Sequence, residues 1–315
     1  MRDVIISGIG MTRFGKFLDR NMKSLSEEAV SLTLRDAGIT PDQVDQVIFG
    51  NAAAGVVTGQ EMIRAQSSLR NTGLDGKPMF NVENACASSS TGFHLGWLMV
   101  ASGHAECVLV IGCEKLTHED KAVSFGAFTR AVDIEEPLPE GYKAGSGSLF
   151  MDLYAAKARK WIEATGGGAE DLARVVVKSR HAGSLNPLAQ FRVETSLDEV
   201  MSSRMISDPL TLFMCSSIGD GAAGILLTSA DFAARLATPK VRVRASAVVS
   251  AKAHEPKELV AVSAHSSLIV VGPCPSLRDV PWLEMIEIAR YTDTSLTAPP
   301  VEIGAPPSPR EGRAG

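Results

Sequence analysis

Apolar and polar positions follow two alternating rhythms along the first half of the chain. Short apolar runs at Val4–Gly8 and Val44–Phe49 read as strands, and stretches with helical spacing separate them. Ser24-Leu25-Ser26-Glu27-Glu28 is expected to open a helix, because Ser24 and Glu27 are spaced as a capping box. That helix runs through Ala29, Leu32 and Leu34 to Gly38, and Pro41 marks a second start. Ala87–Ala101 is apolar nearly all round, since Phe93, Leu95, Trp97, Leu98, Met99 and Val100 leave no polar face. Such a helix belongs in the interior. Cys107–Ile111 follows as an unbroken apolar run, the pattern of a strand covered on both faces. The alternation predicts an α/β layered domain with the apolar helix sandwiched inside it.

The rhythm changes between about residues 116 and 207, where helices and polar loops carry glycine clusters at Gly145-Ser146-Gly147 and Gly166-Gly167-Gly168. Asp152–Ala164 reads there as an amphipathic helix. Strand patterns return at Ala222–Leu227 and Val241–Val249, so the middle stretch reads as an insertion between sheet strands. Half of the sixteen prolines then fall between Pro273 and Pro309, a tail composition typical of disorder. The expected organisation is one domain over residues 1–250, with its insertion at about 116–207, and a divergent or partly disordered segment over 251–315.

Composition narrows the function classes. At 315 residues and 45% hydrophobic, the chain can bury a sizeable core. A net charge of −5 without a basic, aromatic-interleaved stripe argues against a nucleic-acid partner. Charged residues interrupt every apolar run before it reaches spanning length, so no membrane span is expected. Met1-Arg2-Asp3-Val4 leads directly into a strand without a signal or transit pattern, and Arg313-Ala314-Gly315 is not a peroxisomal address. Five cysteines without paired metal-ligand spacing argue against a disulfide framework and a zinc site, which makes a reducing cytoplasm the expected setting.

The candidate for chemistry is Cys86, in Val82-Glu83-Asn84-Ala85-Cys86-Ala87-Ser88-Ser89, directly before the apolar helix. A helix N-terminus favours thiolate over thiol. Its free N–H groups can hold the oxyanion of a tetrahedral intermediate. Small neighbours leave room for a thioester to approach.

These residues, with four further stretches, resemble the thiolase superfamily, in particular its sterol-carrier-protein-2-type and lipid-transfer-like members. Gly8-Ile9-Gly10-Met11-Thr12-Arg13-Phe14-Gly15 is similar to the family's opening strand and loop. Asn81 to Ser89 resembles the nucleophile segment, and Ile111-Gly112-Cys113-Glu114-Lys115-Leu116-Thr117 the turn after the next strand. Asn186 to Arg192 with Ser203 to Leu210 resembles the loop region, and Ser217-Ile218-Gly219-Asp220-Gly221-Ala222-Ala223 the Ser-Asp-Gly-Ala-Ala signature. The resemblance implies a thiolase-like layered α/β/α fold whose first half carries an inserted loop domain. It implies Cys86 as acyl acceptor, a coenzyme A thioester as substrate with no permanently bound cofactor, and a homodimer. An acyl-CoA acyltransferase working on a fatty or sterol-derived chain is the leading function. A retro-aldolase working with a small acyl-CoA-binding partner protein is the second, and a catalytically defective acyl-CoA-binding subunit the third.

The family's second half supplies a histidine in Gly-His-Pro and a cysteine in Cys-x-Gly. His254, His265 and Cys274 lie in neither context, so the second half reads as truncated or divergent and these three receive no role. Other chemistry-bearing residues have plainer readings. Gly8-x-Gly10 is not a dinucleotide fingerprint, because Arg13 stands where the third glycine belongs. Cys107, Cys113 and Cys215 read as core thiols, and His94 as locally hydrogen-bonded on its helix. Lys157, Arg159, Lys160, Lys178, Arg180, His181 and Arg192 form either a solvated face or a site for coenzyme A phosphates. No cofactor-binding residue is assigned among them.

Overall fold

The computed structural model describes residues 1–132, 134–135, 148–249 and 266–271. His254, His265, Cys274 and the cluster Gly145-Ser146-Gly147 lie outside the described residues. In chain order the first elements are β1 (Val4–Met11), α1 (Met22–Ala37), β2 (Gln46–Gly50), α2 (Ala54–Thr58), α3 (Arg64–Ser68), β3 (Met79–Val82), α4 (Ser88–Ala101) and β4 (Cys107–Lys115). Then come α5 (Lys121–Phe128), α6 (Leu149–Thr165), α7 (Ala169–Ser184), α8 (Leu197–Ser202) and the short pair β5 (Met205–Ser207) and β6 (Leu210–Thr211). The last are β7 (Asp220–Ser229), α9 (Ala230–Ala234), β8 (Val241–Val249) and β9 (Ser266–Val271).

Seven strands form one sheet in the order β3-β2-β4-β7-β1-β8-β9. β2 runs parallel to both β3 and β4. The pairs β4–β7, β7–β1, β1–β8 and β8–β9 are antiparallel. Side chains alternate across β4. Cys107, Leu109, Ile111 and Cys113 enter a core with Leu25, Ala29 and Val30 of α1, while Val108 and Val110 enter a second core with Phe93 and Val100 of α4. A strand with a helix over each face needs apolar residues at every position, which is why this run reads as unbroken.

Two local expectations change. The cap of α1 is Asn21, whose Oδ1 accepts the Ser24 N–H at 2.9 Å, so Ser24 is already inside the helix. Arg20 holds the Ser24 carbonyl at 2.8 Å, and the Glu27 carboxylate faces Lys23 at 3.9 Å instead of reaching back to a cap. Gly38 ends the helix as expected, in the left-handed region at φ 69°. Among the described residues, moreover, the sheet lies between α1 and α4, and α4 has a sheet on one face alone. Its Gly92, Phe93, Gly96 and Val100 are buried, while Leu95, Trp97 and Met99 are partly buried at the margin of the second core.

α4 approaches the sheet closely at its N-terminus. Gly50 and Gly112 are register partners on β2 and β4, and Ser89 sits over both. A Cβ on Gly50 would lie 2.8 Å from Ser89 Cα, and one on Gly112 would lie 2.9 Å from Ser89 Cβ. Neither position admits a side chain without moving the helix. On the opposite face, a Cβ on Gly10 would lie 2.8 Å from the Leu32 Cβ of α1, so the Gly8-x-Gly10 pair serves helix packing.

The chain leaves the sheet after Lys115 and returns at Asp220, and these two residues are register partners on β4 and β7. Asp220 is fully buried. Its Oδ1 accepts the Leu116 and Thr117 N–H groups at 2.8 Å each, and its Oδ2 accepts the Phe17 N–H at 3.0 Å. Lys115 Nζ donates to Oδ2 at 2.8 Å, and the Thr117 hydroxyl donates to the same oxygen. Burial pushes this carboxyl up, but the bonds from Lys115, Thr117 and Phe17 outweigh it and hold the group below its usual range.

Two outcomes follow from these contacts. Gly50→Ala is expected to cost about 1–3 kcal/mol by overpacking and to change the alkylation rate of Cys86, read by urea unfolding and thiol labelling. Unaltered stability and labelling would show that α4 is not held by this contact. Asp220→Asn leaves the Lys115 ammonium buried without its carboxylate and is expected to cost about 3–5 kcal/mol at neutral pH. Because the folded Asp220 carboxyl is depressed, its contribution is present above the unfolded value near 3.9 and disappears as pH falls through the folded value. A pH series of unfolding free energies on wild type and variant checks the sign, since the variant should lose that acidic slope.

Candidate active site

The parallel strands β2 and β3 end together, with Gly50 paired to Val82 and to Gly112, beyond which β4 continues to Lys115. Ligands of open α/β sheets gather beyond such carboxyl ends. The segment Glu83–Ala87 turns there from β3 into α4 and carries Cys86, whose side chain is exposed. Ala85, just before it, adopts φ 44°, a left-handed conformation that residues with a Cβ rarely take.

Several bonds hold this turn. The Ala87 N–H donates to the Asn84 carbonyl at 2.9 Å, and the Ser88 N–H donates to that of Ala85 at 3.2 Å. The Ser88 hydroxyl accepts the Asn84 N–H at 2.8 Å and donates to the Ala85 carbonyl at 2.7 Å. Asn84 Nδ2 reaches Thr91 Oγ1 at 2.8 Å, and Glu83 Oε1 accepts the Ala85 N–H at 2.6 Å. The serines after Cys86 thus brace the backbone as well as leaving space. Ala87 is the N-cap of α4 and offers no side-chain acceptor, so the helix opens beside Cys86 in the chain without a side-chain cap.

Glu114, at the end of β4, accepts the Ala53 N–H at 3.2 Å and also the Ala52 N–H. Burial drives its carboxyl up; those two N–H groups and Arg64 oppose the shift, and the charge of Glu83 adds to it. Arg64 Nη1 binds Asn51 Oδ1 at 2.8 Å, and Asn51 Nδ2 binds the Cys113 carbonyl at 2.7 Å. The loop after β2 is thereby tied to the strand beside the Cys86 turn.

From the segment between β4 and β7, α6 contributes a residue that the sequence did not single out. The phenol of Tyr154 is raised by burial first and by the charge of Cys86 second.

The remaining candidates are dispersed. Cys107 and Cys113 are buried core thiols, each pushed by burial up to about 12. Cys215 donates to the Thr211 carbonyl at 3.4 Å, and burial raises it as well. His94 has a long-range partner, not a local one: its Nδ1 lies 2.9 Å from Ser246 Oγ and links α4 to β8, while its ring stacks on Trp97. Burial lowers its pKa. His181 is exposed and pairs with Glu194 at 2.7 Å. Of the basic residues, Arg180 stacks on Phe191 at 3.9 Å, Lys157 lies 5.5 Å from the Tyr154 ring, and Arg159 donates to the Asp208 carbonyl. Among the described residues no cluster of His, Cys, Asp and Glu is arranged to hold a metal, and no helix is long and apolar enough to cross a membrane.

Comparison with known proteins matches this arrangement to a family. The family model "Thiolase, N-terminal domain" matches residues 4–231. The chain is 37% identical over 252 residues to the acetyl-CoA acetyltransferase of Methanothermobacter thermautotrophicus, covering 79% of this chain and 63% of that protein. It is 32% identical over 237 residues to sterol carrier protein 2 of Gallus gallus, covering 74% of this chain and 42% of that protein. Among solved structures, the Ltp2-ChsH2(DUF35) aldolase superimposes with a TM-score of 0.64 at 25% identity, covering 82% of this chain and 64% of that one. The chain therefore spans less than two thirds of the length of these relatives. A match over residues 4–231, with the layered α/β fold and the turn that carries Cys86, places this chain in the thiolase family.

Proposed function

We propose that Cys86 accepts acyl groups from coenzyme A thioesters, making the chain an acyltransferase of the thiolase type. The observation that carries this reading is the exposed thiol on a braced turn that leads into α4, a helix whose opening N–H groups have no side-chain cap. In the proposed step Cys86 Sγ attacks the thioester carbonyl carbon, and the carbonyl oxygen becomes an oxyanion facing those N–H groups. Collapse expels coenzyme A as its thiol, which carries away the proton that Cys86 loses, and leaves an S-acyl cysteine. A fatty or sterol-derived acyl chain is the substrate class that the resemblance favours.

A second reading is a retro-aldolase acting with a small acyl-CoA-binding partner. Its support is the superposition on an aldolase whose name pairs it with a DUF35 protein. Release of a ketone from a β-hydroxyacyl-CoA, only when such a partner is added, distinguishes it from acyl transfer. A cytoplasmic setting fits the four described cysteines, all of which are free thiols, and cell fractionation tests it.

A homodimer is part of the same proposal. Among the described residues β3 is an outer strand of the sheet, and Phe80 on it is exposed by 43%. An open edge with apolar side chains is suited to pairing with a second copy.

Incubation with acyl-CoA followed by intact-protein mass spectrometry is expected to show a single acyl adduct that Cys86→Ala abolishes. Unchanged mass at saturating thioester would sink the nucleophile assignment. In sedimentation velocity the wild-type chain is expected as a dimer and Phe80→Glu as a monomer; a monomeric wild type would remove the edge-pairing proposal.

A further inference from the structure

The Cys86 turn departs from β3, a strand that the sheet itself holds lightly. β3 has four residues and, among the described residues, pairs with β2 alone, from Val47 opposite Met79 to Gly50 opposite Val82. An outer strand with one ladder frays at its end unless other bonds secure it. The loop after β2 and the start of α3 supply those bonds.

Asn51 follows β2 directly and is only 1% exposed. Its N–H donates to the Val82 carbonyl at 3.1 Å, and its Nδ2 donates to the Cys113 carbonyl of β4 at 2.7 Å. One residue therefore bridges β2, β3 and β4 beside Gly50. Arg64 supplies the donor to its remaining side-chain atom. Arg64 Nη1 lies 2.8 Å from Asn51 Oδ1, 3.2 Å from the Asn51 carbonyl oxygen and 3.5 Å from that of Ala52. A cationic donor at Oδ1 fixes which end of the amide faces Cys113, and without it a buried acceptor would lose its bond.

The residues beside Arg64 secure β3 a second time. The Ala65 N–H donates to Asn81 Oδ1 at 2.7 Å, and Asn81 Nδ2 donates to Gln66 Oε1 at 3.0 Å. Arg64 opens α3 after Ile63, which has a left-handed φ of 48°. Among the described residues, Ile63 and Ala85 are the two non-glycine residues with positive φ, and they flank β3 in the chain. A β-branched residue in that region persists only where its surroundings over-determine it. The bonds of Arg64 and Ala65 do so.

We propose that Arg64 is a positioning residue for Cys86. Its guanidinium locks Asn51 across the three strands and so fixes the end of β3, four residues before the thiol. The proposal rests on the reading of Cys86 as the acyl acceptor and names what seats it. Arg64 acts through Asn51 and Val82 and takes no part in the chemistry, so its loss reaches the rate through the placement of the thiol.

The test compares the full chain with Arg64→Met, which removes the donor, and Arg64→Lys, which restores a cationic donor on a shorter stem. Single-turnover acylation by acetyl-CoA is followed by intact-protein mass spectrometry, and hydrogen–deuterium exchange is read on the peptide Val82–Ser88. Arg64→Met is expected to lower the saturating acylation rate at least about tenfold and leave the half-saturating concentration unchanged, because placement governs attack more than binding. Exchange in Val82–Ser88 is expected to quicken about tenfold while β4 and β7 keep their protection. Arg64→Lys is expected to recover most of both losses. A purely structural role would instead quicken exchange throughout the sheet. If Arg64→Met does not fold, Arg64→Gln takes its place with the same order expected. Wild-type exchange in Val82–Ser88 for the neutral variant, or a lysine variant no better than it, overturns the proposal. A wild type that forms no acyl adduct overturns the Cys86 reading, and the exchange data still decide the role of Arg64.

Discussion

Helix α4 can lie directly on the sheet only where the strands beneath it have no side chains. Gly50 and Gly112 meet that condition at paired positions of β2 and β4, under Ser89. The contact places the start of the helix above the ends of the parallel strands and leaves the chain from Val82 to Ser88 a short span in which to turn. A left-handed Ala85 and the hydrogen bonds of Ser88 and Asn84 accomplish that turn. Cys86 is exposed because the backbone on both sides of it is fixed elsewhere. The strain at Ala85 is tolerated because the packing of the helix over-determines it.

Asp220 sets the second constraint. The chain leaves β4 and rejoins at β7 at facing positions, and one buried carboxylate gathers the backbone of Leu116, Thr117 and Phe17 with the ammonium of Lys115. The helices of the intervening segment are therefore anchored at a closed neck. α6 and Tyr154 belong to that segment, 68 positions from Cys86 in the chain. Backbone bonds elsewhere tie the same segment to the sheet, among them the Phe14 N–H to the Leu188 carbonyl at 2.9 Å.

Two buried carboxyl groups divide by role. Glu114 is a raised carboxyl that holds the loop after β2 through Ala52 and Ala53. Asp220 is a depressed carboxylate that closes the neck. Both act on backbone N–H groups, yet their shifts have opposite signs, since Glu114 makes fewer compensating bonds and has Glu83 as a like-charged neighbour. The region that matches the family, residues 4–231, includes the turn, both carboxylates and α6.

Much of this was legible in the sequence. The apolar rhythm marked the strands and the two long helices packed on them, because a strand with a helix over each face must be apolar throughout. Gly38 marked the end of α1, and five ordered motifs marked the family. The errors were local or long-range. Ser24 and Glu27 have capping-box spacing, but Asn21 takes the cap, and a four-residue pattern does not say which of two eligible residues folds back. His94 finds Ser246 on a strand 152 positions away, which no local reading reaches. Tyr154 has no sequence signature at all. The sequence by itself determined which residues are apolar and which are small, and so the layers that pack together. Only the tertiary structure decided which polar groups meet, because hydrogen bonds and charge interactions act over a few ångströms of space that separation along the chain does not measure.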